Sequence, residues 1–378
     1  MMLTAESLYK SLNIPTGLED GTLLFNPLED IGKHGDWNVI LSVRAKAKTT
    51  NMLLLGLCKY WVNDIQTVYI RQYDDMLTPT RLNSLMDVIK KFNYIEKVTN
   101  GEFNDMIYRA RRWTLVKREN GEIVKEDERP WCICCAINKE AELRSTLNIP
   151  DGDHIIIDEF CRADHLYMKN EFVVLCQLLS TIIRKRTTAK IYALGNGVDY
   201  TCPYFADMCI TSEIKSIKPR ETKYVSNGET VINISLLQDT DSFGRKVKSR
   251  YFPWQSGMFA SINGGGKTWS IHSYPHAPSG EIYSILDRGY FDTPQGWICR
   301  EIRRYSHGDY CMFYEVESPE EGRVQYSQNT SKPCDDLHRY FMGQSKTDKY
   351  VQQLVKMHYC YYSSNEVGEI MDAYFMQR

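Results

Sequence analysis

The stretch VILSVRAKAKTTNMLLLGLCKYW, residues 39–61, decides the fold of this chain. An apolar run leads into a polar turn, and the turn opens on Lys48 and Thr49 into a longer apolar run. The layout is that of a phosphate-binding loop: strand, turn, helix. In such a loop the backbone N–H groups face the phosphates, the lysine ammonium reaches the outer phosphate oxygens, and a Ser or Thr hydroxyl holds Mg2+. The general pattern is G-x-x-x-x-G-K-[ST], and here both glycines are missing: Ser42 takes the first position and Ala47 the second. Glycine normally supplies unusual backbone angles and room for close approach. Alanine adds one methyl group, so the loop can persist with some strain or a shifted shape. Lys46 is an extra cation inside the loop, directed at the phosphates or at solvent, and Thr50 completes the phosphate-facing set.

A rival, SINGGGKT at residues 261–268, is nearer the consensus. It is followed by WSIHS, which alternates like a strand, and its glycines follow Asn263 as in a hairpin turn. Lys267 and Thr268 therefore read as exposed turn residues. Context, not glycine content, favours residues 42–49.

A partner motif strengthens this reading. HIIIDEF, residues 154–160, is an apolar strand ending in two carboxylates. Asp158 is placed to bind Mg2+ directly or through water, and Glu159 to orient or deprotonate an attacking water. The bland alternative is an acidic strand end that caps the next helix. YALGN, residues 192–196, is a strand ending in Asn196, whose amide either senses the outermost phosphate or caps a turn. STIIRKR, residues 180–186, ends a long helix, and Arg184 and Arg186 are spaced so that both cannot face one point. An arginine there is a favourable cation at a helix C-terminus, or, at a subunit edge, stabilises charge in a neighbour's site.

Uninterrupted apolar strands are expected at 37–41, 67–73, 131–137, 154–158 and 189–196, with helices at 49–62, 79–92 and 169–186 and a hairpin turn at 119–121. Such alternation implies an α/β sheet buried on both faces. From about residue 236 the sequence turns polar and basic. Glycine-punctuated strands follow at 257–273, 281–287 and 310–316, then helices at 333–344 and 347–376, which together suggest a smaller α+β domain. The expected division is a first domain over 1–235, a basic linker over 236–256 and a second domain over 257–378.

The 378 residues, 43% hydrophobic and 25% charged, suffice for two ordinary globular domains. A net charge of −2 gives no global electrostatic case for nucleic acid, so any DNA contact must come from local basic patches. YRARRW (108–113), RKR (184–186), GRKVKSR (244–250) and REIRR (300–304) are candidates, and each read singly is a solvated face. The 12 cysteines show no zinc-like pairing, and CICC (132–135) reads as buried thiols in a strand. The opening MMLTAESLYK carries no apolar leader, and no run approaches the roughly 18 apolar residues of a membrane span. A reducing cytoplasm and no membrane partner are expected.

Taken in order, RAKAKTT, HIIIDEF, STIIRKR, YALGN and CPYF (202–205) resemble the DNA-packaging ATPases of small tailed podophages of the phi-29 type, ring motors related to large terminase subunits. The resemblance implies an α/β chain: a P-loop NTPase domain of the ASCE type with a smaller α+β RNase H-like C-terminal domain. It implies that Lys48 and Thr49 bind the phosphates of ATP and Mg2+, that Asp158 is the Mg2+ aspartate and that Glu159 is the catalytic glutamate. Arg184 matches the trans-acting arginine finger, and Arg144 falls near another basic residue acting across the interface. Arg44 matches an arginine inside the loop that contacts a phosphate or coordinates a neighbour. Asn196 ends the strand of the coupling motif. In large terminases the second domain cuts DNA with clustered carboxylates on Mg2+, the first on the opening strand. Here Ser261 and Asn263 stand near that place, so a nuclease relic that binds nucleic acid or docks to the motor is expected, with Asp287, Asp292 and Asp309 as unsupported metal ligands. The implied function is ATP-driven translocation of viral double-stranded DNA into the procapsid through the portal (connector) protein. The implied assembly is a homo-oligomeric ring, a pentamer by resemblance, in the host cytoplasm and transiently at the portal vertex; a structural RNA is a further candidate partner. The rival readings are a helicase-like ATPase and a non-hydrolysing DNA-binding scaffold with a degenerate loop.

Overall fold

Apolar strands and helices alternate through the first two thirds of the chain and build one large sheet. The computed structural model describes residues 3–17, 23–42, 46–162, 167–196, 202–218, 220–237, 274–293, 295–327, 335, 337–339 and 345–376. The chain divides into two compact units, Met1–Tyr200 with Ser212–Trp269, and Thr201–Thr211 with Ser270–Arg378. The expected strand at 257–273, with SINGGGKT inside it, and nearly all of the expected linker lie outside the described residues.

The first unit begins with α1 (Ala5–Ser11), β1 (Trp37–Ser42), α2 (Lys48–Asn63), β2 (Thr67–Arg71), α3 (Pro79–Lys91) and α4 (Tyr94–Val98). It continues with β3 (Asp105–Arg109), β4 (Arg112–Glu119), β5 (Glu122–Glu126), β6 (Cys132–Ala136), α5 (Glu140–Thr146), β7 (His154–Asp158), α6 (Glu171–Ile183) and β8 (Lys190–Asn196). After α7 (Pro203–Asp207), which belongs to the second unit, α8 (Thr211–Ser216) precedes β9 (Thr222–Asn227) and β10 (Thr230–Leu236). The sheet order is β3-β4-β6-β2-β7-β8-β1-β10-β9, with β5 on β4. From β6 to β10 every pairing is parallel. Helices cover both faces of such a sheet, and its strands read accordingly as unbroken apolar runs. Thus β6 and β7 are buried along their whole length. The thiols of Cys132, Cys134 and Cys135 are buried, and burial pushes Cys135 up to about 12.

Local chemistry sets the turns. Asn120 and Gly121 both hold positive φ, 51° and 87°, and close the expected hairpin between β4 and β5. Before it, β3 and β4 are joined by Ala110 and Arg111, which also adopt positive φ, 46° and 61°, and form a tight turn without glycine or asparagine. Gly56 lies mid-helix, where a Cβ would strike Thr67 Oγ1 and His154, so glycine lets α2 lie against β2 and β7.

In the second unit β11 (Ser284–Thr293), β12 (Gly296–Tyr305) and β13 (Gly308–Val316) form an antiparallel meander. β14 (Val324–Ser327) pairs parallel with β11, β15 (His338–Arg339) with β14, and β16 (Cys360–Tyr362) with β13. α9 (Lys346–Lys356) and α10 (Asn365–Met376) bring Val351, Val367 and Ile370 onto Phe291, Phe313 and Tyr326. Three expectations are corrected. Residues 338–339 of the expected 333–344 helix are strand. The expected helix over 347–376 is two helices, since His358 turns left-handed at φ 59° and β16 intervenes. REIRR is not solvated as a whole: it lies within β12, where Arg300, 1% exposed, pairs with Asp287 at 2.7 Å and Glu301 sits between Arg288 and Arg303, and of its charges only Arg304 is exposed. Among the described residues, no helix is long and apolar enough to cross a membrane.

Candidate functional site

Because β1, β7 and β8 are parallel, their last residues share one edge of the sheet, and α2 starts there. Register sets Ser42 beside Asn196. Lys48 Nζ donates to Ser42 Oγ at 2.6 Å and to Asn196 Oδ1 at 3.2 Å. The serine that replaces the first glycine therefore holds the lysine. Burial pushes Lys48 down to about 8, and the carboxylates of Asp158 and Glu159 partly oppose that shift. Ala47, in place of the second glycine, caps α2 at φ 57°, ψ 24° and keeps the left-handed conformation a glycine would take.

Thr49 Oγ1 donates to Asp158 Oδ1 at 3.0 Å, although β8 separates β1 from β7. Two residues that sequence reasoning missed complete the cluster. Tyr69 O–H donates to Asp158 Oδ2 at 2.6 Å, and Arg71 Nη1 donates to the same oxygen at 2.8 Å. Arg71 Nη2 also reaches Glu159 Oε2 at 2.5 Å, so one guanidinium bridges both carboxylates. Burial holds the Tyr69 phenol well above its ordinary value, and the Asp158 charge adds to that. Glu159 turns left-handed at φ 57°, and its side chain is 58% exposed. Oxygens sharing an octahedral Mg2+ at about 2.1 Å stand about 3.0 Å apart. The Thr49 hydroxyl and Asp158 Oδ1 have that separation and that hard-oxygen character, so the donor set fits the ion.

Lys46 is 3% exposed, which removes the solvent-facing alternative; it lines a cavity with Glu29, Asp30 and Arg220. Thr50 is half-buried in the first turn of α2. Arg44 lies outside the described residues. Arg184 and Arg186 part company. Arg186 pairs with Asp153 at 2.6 Å and donates to the carbonyls of Ile149, Gly152 and Ile182. Arg184 leaves α6 at φ 53° and is exposed, with one contact to the Leu147 carbonyl at 3.4 Å. It sits where β8 begins, whereas Lys48 and Asp158 sit where the strands end, on the order of 13 Å away along a five-residue strand. Arg144 is held by Glu140 through two bonds of 2.8 and 2.9 Å and touches Gln177 at 3.2 Å. In the second unit Asp309 is held by Arg304 and Tyr350, and Asp292 accepts from Ser327 at 3.0 Å. Ser261 and Asn263 lie outside the described residues.

Fold and site together define a parallel α/β protein that gathers a lysine, a threonine hydroxyl and paired carboxylates at the end of its central strands. The chain belongs to the family described as Podovirus DNA encapsidation protein (Gp16), which matches residues 19–248, more than half of it. It is 24% identical over 190 residues to the DNA packaging proteins of Bacillus phages PZA and phi29, covering 49% of this chain and 50% of each relative. The match thus spans about half the length of these curated relatives. In fold it is similar to the Phi-28 gp11 DNA packaging motor (TM-score 0.57, 16% identity, 94% of this chain and 97% of that one). It is likewise similar to a chain of the bacteriophage Phi-29 viral genome packaging motor assembly (TM-score 0.55, 15% identity, 94% of this chain and 100% of that one).

Proposed function

We propose that this chain is the ATP-hydrolysing motor that drives viral double-stranded DNA into the procapsid through the portal. The observation that carries the proposal is the convergence of Lys48, Thr49, Asp158 and Glu159 at one sheet edge, with β8 between the strands that deliver them. That inserted strand supports a P-loop NTPase domain of the ASCE type.

The residues divide the work. Lys48 and the amides at the start of α2 hold the triphosphate, whose charge takes over from Ser42 and Asn196 as the lysine's partner. Thr49 and Asp158 hold Mg2+, which neutralises phosphate charge when bound. Glu159 orients the attacking water and takes its proton once Arg71 releases it, since the guanidinium at 2.5 Å occupies the carboxylate oxygen that the water would use. Asn196 follows loss of the outer phosphate. Arg184 lies too far along the strand to serve its own site and acts on a neighbour's, as does Arg144 once Glu140 lets go. The working form is a homo-oligomeric ring, proposed as a pentamer, formed in the host cytoplasm and docked transiently at the portal vertex, with a structural RNA as a further candidate partner. The ring grips DNA through phosphate contacts that weaken steeply with salt.

The domains are proposed as residues 1–235, 236–256 and 257–378. Residues 236–256 are the basic linker, and the domain over 257–378 is proposed to be RNase H-like: the run β13-β12-β11-β14-β15 of its six-stranded sheet, with β16 beyond β13 and β14 parallel to β11, supports this. It is proposed to be nuclease-inactive, because arginines occupy Asp287 and Asp309.

DNA-stimulated ATP turnover with procapsids tests the whole reading. Lys48→Ala and Glu159→Gln should each lower turnover by about 100-fold or more. Wild-type turnover in Glu159→Gln would overturn the assignment.

A further inference from the structure

A second pocket, with charged groups in its wall, lies where β8 begins, at the far end of the strands from Ser42. A cavity of about 380 Å³ is lined by Glu6 and Lys10 of α1, His34, Lys59 of α2, and Lys190 and Tyr192 of β8, with Leu28 and Leu55 as apolar wall. Its polar groups arrive by simple periodicity: Glu6 and Lys10 are one helical turn apart, and Lys190 and Tyr192 share a strand face.

The charges do not balance. Lys59 is partly buried, and its hydrogen-bond partners are neutral: His154 Nδ1 at 3.4 Å and Tyr192 Oη at 3.5 Å. His154 Nε2 lies 3.0 Å from the Met52 carbonyl and must donate to it, which leaves Nδ1 to accept from Lys59. Burial keeps His154 well below its ordinary pKa and lowers His34, so neither ring adds or removes charge near neutrality. Among the described residues Lys10 makes no ion pair, while Lys190 is paired with Asp36 at 3.0 Å. Of the residues in the wall, three are ammonium groups and one, Glu6, is a carboxylate. Burial lowers the Lys59 pKa, Glu6 offsets part of that, and Lys190 adds to it. A cation with neutral partners in a partly enclosed pocket is poorly compensated, and an anion is the ligand that corrects this.

We propose that this pocket binds a phosphate-sized oxyanion, with Lys59 as its main contact and Lys10 and Lys190 at its walls. The site is separate from the triphosphate site. Lys48 and Lys59 lie on one helix, and eleven residues at about 1.5 Å each set them roughly 16 Å apart.

The test is calorimetric titration of the full chain with inorganic phosphate, its nucleotide site filled by excess nonhydrolysable ATP analogue and Mg2+. A parallel titration of Lys48→Ala without nucleotide gives a control that does not depend on ATP binding. One phosphate per chain is expected in both. Lys59→Met should weaken binding about tenfold or more, and Lys10→Gln, a change on an exposed helix position, about threefold. Short duplexes with and without a 5′-phosphate separate the sources. Displacement of phosphate by the phosphorylated duplex alone assigns a DNA end, and no displacement assigns free phosphate. No binding in the wild type overturns the proposal. So does binding that survives Lys59→Met and Lys10→Gln unchanged, or is lost in Lys48→Ala alone.

Discussion

Replacing Ala47 with glycine should stabilise the protein, an uncommon sign for that substitution. Ala47 sits at φ 57°, ψ 24°, where its Cβ crowds the following carbonyl. That conformation costs a non-glycine residue roughly 1–2 kcal/mol. Glycine removes the cost but loses more chain entropy on folding, roughly 0.5–1 kcal/mol. The balance spans about 0–1.5 kcal/mol of gain, and its midpoint of about 0.75 kcal/mol is worth about 1.5–3 °C in the melting midpoint of a unit this size. Differential scanning fluorimetry on the nucleotide-free chain reads this directly. Ala141 supplies the control, because it is exposed and in the right-handed helix α5. There the same change should lower stability by about 0.5–1 kcal/mol. Opposite signs at the two alanines support a strained loop. A drop at both would mean that residue 47 is not left-handed, and the glycine-free loop would then need another explanation.

Three further outcomes follow from the same contacts. Lys48 has a folded pKa of about 8 against an ordinary 10.5, so between those values the folded chain has lost a proton the unfolded chain still holds; stability of the empty protein should rise with pH across that window, while ATP affinity, measured by fluorescence titration, should weaken as pH passes 8 and be flat with pH in Lys48→Met. Arg186→Ala removes the partner of Asp153 and three carbonyl contacts and should cost about 3 kcal/mol by denaturant unfolding, whereas Arg184→Ala should change stability by under about 0.5 kcal/mol and yet suppress turnover more than additively when mixed with wild-type subunits. Asp287→Ala strands the buried Arg300 and should destabilise the second unit by about 3–5 kcal/mol; a stable variant that had lost a Mg2+-dependent cleavage activity would make Asp287 a metal ligand instead.

Much of the first unit could be read from residue order alone, for a physical reason. Strands buried on both faces cannot carry charge mid-run, so WNVIL and HIIID announce themselves, and charge at their ends marks the sheet edge. Parallel strands share that edge, which brings Asp158, Asn196 and Lys48 together without knowledge of the neighbour order. Neighbour order is what the sequence withholds. Arg71 ends TVYIR like any strand-end cation, and only the placement of β2 beside β7 turns it onto Asp158 and Glu159. The second unit hides its strands differently. β12 carries Arg300, Glu301, Arg303 and Arg304, a surface pattern by composition, yet ion pairs neutralise each charge and allow Arg300 to be buried. Arg184 and Arg186 are indistinguishable as letters; the left-handed break at Arg184 points one out and folds the other in.

Arginine-bound carboxylates occur in both units, and they differ in how readily the arginine can leave. In the first, Arg71 is 15% exposed and divides one guanidinium between two acids, of which Glu159 is 58% exposed. Water can replace that contact on Glu159 at small cost, so the arginine can leave when a phosphate or metal offers better compensation. In the second, Arg300 is 1% exposed and lies under Gly289, where a Cβ would meet its guanidinium at 2.5 Å. Water cannot replace Asp287 there, and pulling the acid onto a metal would leave a guanidinium buried without its anion. An arginine that can depart makes a regulated carboxylate; one sealed beneath a strand makes a permanent ion pair. On that ground the proposed chemistry rests on Glu159 and not on Asp287.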